Sequence, residues 1–257
     1  MKVMGILNVT PDSFADGGLH LALDKACFHA ETMIKDGAAI IDIGGESTRP
    51  GASPVTVQEE LDRVIPVIEK LNQNFDIPLS IDTLKPAVMR AALSAGVWMI
   101  NDVNALQADG AVEIVANSNA MICLMHMQGE PRTMQKAPHY DDVVQDITKF
   151  LLARKQVCLD AGIAPERIFL DPGIGFGKNL DHNLALLKAL DKLPGPLLIG
   201  VSRKAMLGTL LKGAPPQQRV SGSLALAVWA AMKGAKIIRV HDVKETVDAL
   251  TVIEALL

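Results

Sequence analysis

Two patterns of hydrophobic and polar positions alternate along the chain. Short apolar runs read as buried strands at Val3–Leu7, Ala39–Ile43, Pro78–Ile81, Val97–Ile100, Ala120–Met125, Ile168–Leu170, Leu197–Val201 and Lys236–Val240. Between them, apolar residues recur at the three-to-four spacing of a helix with one buried face. Val57, Leu61, Val64, Ile65, Ile68 and Leu71 form one such stripe, and Thr56-x-x-Glu59 ahead of them predicts a capping box. Val143, Ile147, Phe150, Leu151, Val157 and Cys158 form another. Gly37, Gly96, Gly162 and Gly234 each stand where a helix should end before a strand, the left-handed position that tolerates only a residue without Cβ at low strain.

Continuous apolar strands separated by helices imply parallel pairing, with the sheet covered on its outer face. Eight strand–helix units in 257 residues, about 32 residues each, predict an α/β fold: a single closed (β/α)8 TIM barrel over residues 1–257. An open doubly wound sheet is the runner-up. No linker, low-complexity tract or composition shift divides the chain.

Composition narrows the function classes. Apolar residues make up 49% and charged residues 21%, with a formal net charge of −4, which excludes a disordered chain. Without a basic run, and with six Phe, two Trp and one Tyr, the chain offers no nucleic-acid surface or stacking platform. Mean hydropathy is +0.24, yet the longest mainly apolar charge-free stretch, Val220 to Met232, has 13 residues, short of the roughly 20 that span a bilayer. The opening MKVMGILNVTPDSF reaches a Pro-Asp turn too early for a signal peptide. Three separated cysteines, Cys27, Cys123 and Cys158, suit buried thiols in a reducing compartment, and a cytoplasmic protein is expected.

In a parallel barrel, chemistry gathers where strands end. Those ends read Asn8; Glu46-Ser47-Thr48-Arg49; Asp82; Asn101-Asp102; His126; Asp171; Ser202-Arg203-Lys204; and Arg239 with His241. Asp82, Asn101 and Asp171 are acceptors suited to the adjacent N–H donors of a planar amino-heterocycle. Arg49, Arg203, Lys204, Arg239 and His241 are cationic or can become so, and two of these clusters end the seventh and eighth strands, the usual phosphate corner of such barrels. A ligand with a polar ring at one end and an anion at the other fits this layout. Taken singly, the residues say less. Asp82 or Asn101 alone reads as a helix cap, as does Asp242 before Glu245; Arg203 alone reads as a surface charge, and His126 as much a packed histidine as a functional one.

Asp171-Pro-Gly-Ile-Gly-Phe-Gly-Lys178 is glycine-rich, but its GxGxG spacing matches neither the dinucleotide fingerprint nor the GxxxxGK phosphate loop. Gly173, Gly175 and Gly177 are expected to let backbone come close to a flat ligand. No HExxH, zinc spacing, GxSxG elbow or activated cysteine is present.

The runs Asn8-Val-Thr-Pro-Asp-Ser-Phe14, Asp42-Ile-Gly-Gly-Glu-Ser-Thr-Arg-Pro-Gly51, Ser80-Ile-Asp82-Thr, Asn101-Asp-Val, Asp171-Pro-Gly-Ile-Gly-Phe176, Ser202-Arg-Lys204 and Arg239-Val-His241-Asp resemble the dihydropteroate synthase family, in order and over essentially the whole chain. The resemblance implies condensation of 6-hydroxymethyl-7,8-dihydropterin pyrophosphate with p-aminobenzoate, releasing pyrophosphate and 7,8-dihydropteroate, at a site for which sulfonamides compete. It implies that Asp82, Asn101, Asp171 and Lys204 hold the pterin, with Phe176 walling its pocket. Arg239 would stack on the ring and, with His241, bind the diphosphate; Asp82, Lys204, Arg239 and His241 would be the catalytic set. Asn8 would ligate Mg2+, Ser202 would meet the p-aminobenzoate carboxylate, and Phe14, Thr48, Arg49 and Pro50 would belong to two loops that close over the substrates. The chain begins almost at its first strand, where many family members carry further residues covering the bottom of the barrel.

Two other readings share parts of this pattern. A methyltetrahydrofolate-type methyltransferase barrel uses the same fold and ring-binding carboxylates, but has no evident need for the Ser-Thr-Arg-Pro-Gly loop. A catalytically silent pterin-binding paralogue would keep the site without turnover. The apolar Val220–Met232 segment, together with the resemblance, predicts a homodimer through the last helices.

Overall fold

The computed structural model describes residues 1–9, 18–47, 53–130 and 132–256, with backbone only for 18–22. Its strands are β1 (Lys2–Asn8), β2 (Ile40–Gly44), β3 (Leu79–Asp82), β4 (Met99–Asp102), β5 (Met121–Met125), β6 (Ile168–Asp171), β7 (Leu198–Gly200) and β8 (Ile237–Val240). All pairings are parallel, in the order β6-β5-β4-β3-β2-β1-β8-β7, and a Leu170–Leu197 bridge joins β6 to the residue before β7. The sheet is thereby a barrel, as the strand count predicts.

Between the strands lie α1 (Gly18–Lys35), α2 (Val57–Asn74), α3 (Pro86–Ser94), α4 (Ala111–Ala116), α5 (Val143–Asp160), α6 (Leu180–Lys188), α7 (Ala205–Leu210), α8 (Val220–Met232) and α9 (Val243–Glu254). One unit therefore holds two helices where the periodicity predicts one. Gly213-Ala214-Pro215-Pro216 lies between α7 and α8, and consecutive prolines cannot continue a helical hydrogen-bond ladder. The α2 capping box forms as predicted, Thr56 Oγ1 accepting from Glu59 N–H while Glu59 accepts from Thr56 N–H. On α5, Val143, Ile147, Leu151 and Cys158 are buried, but Val157 turns outward and is exposed. Gly37, Gly96, Gly162 and Gly234 all have positive φ, as their positions require. Among the described residues, no helix is long and apolar enough to cross a membrane.

Strand alternation sorts the apolar runs into two surfaces. Val3, Leu7, Ile41, Ile43, Leu79, Ile81, Ile100, Ile122, Leu124, Ile168, Leu170, Ile199, Ile238 and Val240 belong to the cluster formed with the helices. The opposite set faces the barrel interior. Met4, Ile40, Met99, Cys123, Leu198 and Ile237 form a second apolar cluster, with Trp98, Met121 and Phe169 packed against it. This layer fills the lower barrel, and the interior positions above it are Asp42, Asp82, Asn101, Asp171 and Arg239. A dry floor beneath a polar ceiling is what places the chemistry at one end.

The stem of the β2 loop is fixed by a buried ion cluster. Lys85 Nζ donates to Glu46 Oε2 at 2.7 Å and to Glu60 Oε2 at 2.5 Å, with Glu60 fully buried. Glu46 Oε1 also accepts from Val55 N–H at 3.2 Å, and Arg63 Nη1 donates to Gly45 O at 2.8 Å. Removing one partner of a buried pair strands the other charge. Lys85→Ala is therefore expected to lower the urea unfolding free energy at pH 8 by about 3 to 5 kcal/mol, with Lys85→Met/Glu60→Leu losing less. A loss below about 1 kcal/mol, typical of exposed pairs, would show that water already reaches Glu60.

Candidate active site

At the upper end of the barrel, Arg239 reaches from β8 past β1. Its Nε donates to Asp42 Oδ2 at 2.5 Å and its Nη2 to Asp82 Oδ2 at 2.7 Å. Asn101 Nδ2 donates to the same Asp42 oxygen at 3.1 Å. Strand register sets Gly44 beside Asp82 and Asp82 beside Asn101, so these groups come from neighbouring strands at one level. Asp82 and Asn101 are thus part of an interior network, not helix caps. Burial opposes the charge on Arg239, but Asp42 and Asp82 outweigh it and raise the guanidinium pKa above its ordinary value. Burial pushes Asp82 up to about 7, with Arg239 pulling the other way and Asp42 adding to the rise. Asp82 Oδ1 and Asp42 Oδ1 are buried with no hydrogen-bond partner among the described residues. A buried acceptor in that state calls for a donor that the described residues do not supply.

Asp171 ends β6, and its Oδ1 accepts from Gly173 N–H at 2.7 Å. Burial raises its pKa, while the Gly173 N–H and the cations Lys204, Lys178 and Arg239 act the other way. Lys204 immediately precedes α7, and its Nζ lies 4.3 Å from the centre of the Phe176 ring, a cation–π contact. Burial brings Lys204 down to about 8, against the pull of Asp171. Ser202 Oγ accepts from His241 N–H at 3.2 Å and lies 3.0 Å from His241 Nδ1. Asn8, the last residue of β1, is exposed at the mouth, its Oδ1 3.8 Å from where a Cβ on Gly44 would stand. Phe14, Thr48, Arg49 and Pro50 lie outside the described residues.

The pterin binding enzyme family matches residues 4–241. Dihydropteroate synthase of Escherichia coli (strain K12) is 56% identical, covering 99% of this chain and 91% of that protein. A crystal structure of the Yersinia pestis dihydropteroate synthase with a sulfonamide drug complex superposes with a TM-score of 0.93 at 57% identity, over 99% of this chain and 94% of that one. The Burkholderia cenocepacia dihydropteroate synthase complexed with 7,8-dihydropteroate gives 0.91 at 52% identity, over 99% and 91%. The chain belongs to the dihydropteroate synthase family. Its activity is dihydropteroate synthesis, a transferase reaction of folate biosynthesis.

Several residues of this family member do something other than their sequence pattern suggests. Arg203 is not a free surface or phosphate-directed cation. Its guanidinium pairs with both oxygens of Asp242, Nε to Oδ2 at 3.1 Å and Nη2 to Oδ1. Asp242 stands at the start of α9, but its side chain serves Arg203 and makes no cap hydrogen bond. The glycines after β6 approach the protein's own backbone. A Cβ on Gly173 would sit 1.9 Å from His126 O, and one on Gly177 would sit 2.5 Å from Gln128 O; only Gly175 faces Lys204. Asp102 turns away from the barrel interior and accepts from Asn104 N–H and Leu106 N–H, both at 2.7 Å, shaping the loop after β4.

Two charged residues were not singled out in the sequence. Asp42 stands inside the apolar strand IIDIG, at an interior position by alternation, and that interruption is the signal that could have found it. Lys178 carries no such signal, since an exposed lysine after a glycine turn is the ordinary expectation; here it is almost wholly buried. Its ammonium lies 3.1 Å from His126 Nδ1, whose ring packs edge-on against Phe150 at 4.8 Å. Burial first, and Lys178 second, lower the His126 pKa from 6.5 to about 3. Its folded value lies below its unfolded one, so the contribution of the neutral ring is complete above about pH 6.5 and is lost as the pH falls toward about 3. An NMR titration of the imidazole nitrogens is expected to show His126 still neutral at pH 5. A midpoint near 6 would mean that the ring is hydrated in solution.

Proposed function

We propose that this chain forms 7,8-dihydropteroate by departure of the diphosphate ahead of attack by the aryl amine, with the barrel-mouth residues in the following roles. Asp171 accepts from the 2-amino and N3 hydrogens of the dihydropterin, and Asp82 with Asn101 takes the other ring edge. The observation that carries this reading is the buried Asp42–Arg239–Asp82 network. It spends one Asp82 oxygen on the arginine and leaves the other without a partner among the described residues. Lys204, braced by Phe176, completes the ring pocket on the side of Asp171. Arg239 stacks on the ring, and its charge, with His241, faces the diphosphate. Ser202, already bonded to His241, meets the p-aminobenzoate carboxylate. Phe14, Thr48, Arg49 and Pro50 would contribute from the two substrate loops.

The bond that breaks joins the pterin methylene to a diphosphate oxygen, which keeps the electron pair. Positive charge then spreads into the reduced ring, where buried carboxylates stabilise it in a medium of low dielectric. The aryl amine attacks the methylene with its own lone pair, and the resulting N–H proton passes to solvent or diphosphate. An unprotonated aryl amine needs no strong base, so the site does without a nucleophile–base pair. Alignment of the two substrates supplies much of the remaining acceleration.

Mg2+ fits the donor set at the mouth. Asn8 presents one neutral amide oxygen there, and no trio of His, Cys, Asp and Glu among the described residues could hold a metal. An ion bound at Asn8 would take its other ligands from diphosphate and water, the usual habit of Mg2+. When bound it would screen the leaving diphosphate. Cytoplasmic location fits the three free thiols. A homodimer through the last helices fits the exposure of Trp229 and Met232 on α8, and sedimentation should give the dimer mass.

Pyrophosphate release, followed with each substrate and Mg2+ omitted in turn, tests the chemistry. Wild type should yield 7,8-dihydropteroate, and a single turnover without p-aminobenzoate should still release pyrophosphate. Lys204→Ala is expected to lower kcat/KM by about a hundredfold or more. No release without p-aminobenzoate would replace the stepwise route by direct displacement, and an unchanged Lys204→Ala would remove that residue from the site.

A further inference from the structure

Lys178 lies just beyond the ring pocket and is almost wholly buried, although nothing in the reaction above uses it. Its ammonium has three acceptors for its three protons: Phe176 O at 2.8 Å, His126 Nδ1 at 3.1 Å and His126 O at 3.3 Å. The first acceptor belongs to the turn after β6 and the other two to the end of β5, so one side chain fastens two loops together. The turn is tied elsewhere as well. Gln135 Nε2 donates to Gly175 O at 2.6 Å, Tyr140 OH to Gly177 O at 2.8 Å, and Gly175 N–H to Asn183 Oδ1 at 2.7 Å. Lys178 is the member of this set that also carries charge. Phe176, whose carbonyl it holds, is the ring against which Lys204 rests.

We propose that Lys178 is a positioning residue for dihydropteroate synthesis: it locks the turn that carries Phe176 and, when protonated, adds a positive charge that favours Asp171 as an acceptor for the pterin edge. The proposal rests on the reading of Asp171 given above. The charged and titratable groups that act electrostatically on Asp171 are Lys178 from its own loop, Lys204 from the segment after β7, Arg239 from β8 and Cys123 from β5. Lys178 in turn faces Asp171, Lys204 and His126. Burial raises Asp171, and Lys178 is one of the three cations that oppose that rise. Burial also lowers Lys178 itself to about 7, so its charge grows as the pH falls, which is also the direction in which Asp171 takes up a proton. A neutral acid at Asp171 would present a hydroxyl to ring N–H donors and lose an acceptor.

The test is the pH dependence of 7,8-dihydropteroate binding, measured as Kd from pH 8 to pH 5.5 for wild type, Lys178→Met, Lys178→Gln, Lys178→Arg and Asp171→Asn. Ionisation of the ligand is common to all and cancels in the comparison. Lys178→Met and Lys178→Gln should bind within a few-fold of wild type at pH 8. Their affinity should then fall further than that of wild type as the pH is lowered to 5.5, because the Asp171 carboxylate has lost one of the cations that oppose its protonation. Lys178→Arg, which keeps the charge, should restore the wild-type profile. Lys178→Gln keeps a donor for the loop carbonyls, so it serves if Lys178→Met fails to fold. A loss equal at every pH would reduce Lys178 to a structural tie and overturn the proposal. Asp171→Asn binding like wild type would instead overturn the reading of Asp171, whatever the lysine variants do.

Discussion

A guanidinium inside a β-barrel has no water to solvate it, so its position is decided by where counter-charges can stand. Arg239 finds them in Asp42 and Asp82, on the two strands beyond β1. An unpaired buried cation would destabilise the fold severely, whereas pairing to two carboxylates holds it in one place. That arrangement does two things for the reaction. It fixes the arginine without help from substrate, and it occupies one Asp82 oxygen, leaving the other for the pterin edge in the proposed binding mode. In the proposed binding mode the ring-binding geometry is thus held before any pterin arrives, which would reduce the reorganisation required on binding.

The other wall is built on the same logic with the signs exchanged. There Asp171 is the buried anion, and Lys204, Lys178 and Arg239 are the cations that sustain it. The two walls share Arg239, so neither is electrostatically independent of the other. Charges of both signs thus face one opening above an apolar floor formed by Met4, Ile40, Met99, Cys123, Leu198 and Ile237. The proposed separation of a cationic ring from an anionic diphosphate would draw on both signs held in place at once.

Much of this was legible in the order of residues. The eight strands, the α2 capping box and the helix-ending glycines follow from period and turn chemistry alone. Asp82, Asn101, Asp171, Lys204, Arg239 and His241 follow from standing at strand ends. The rest depends on partners distant in sequence. Nothing local says that Asp242 would leave its cap for Arg203, 39 residues away, or that Gly173 would be required by His126 O. Asp42 was visible as a charge in an apolar strand, but its partner Arg239 lies 197 residues later. Lys178 is the extreme case, since its burial depends on two loops meeting and leaves no mark in the local pattern.

A crystal structure with 7,8-dihydropteroate bound tests the central claim most directly. One pterin edge should donate to Asp171 and the other should engage Asp82 Oδ1, with Arg239 still bonded to both Asp42 and Asp82. A ring bound elsewhere in the mouth, or an Arg239 released from both aspartates to reach the ligand, would contradict a site assembled in advance of its substrate.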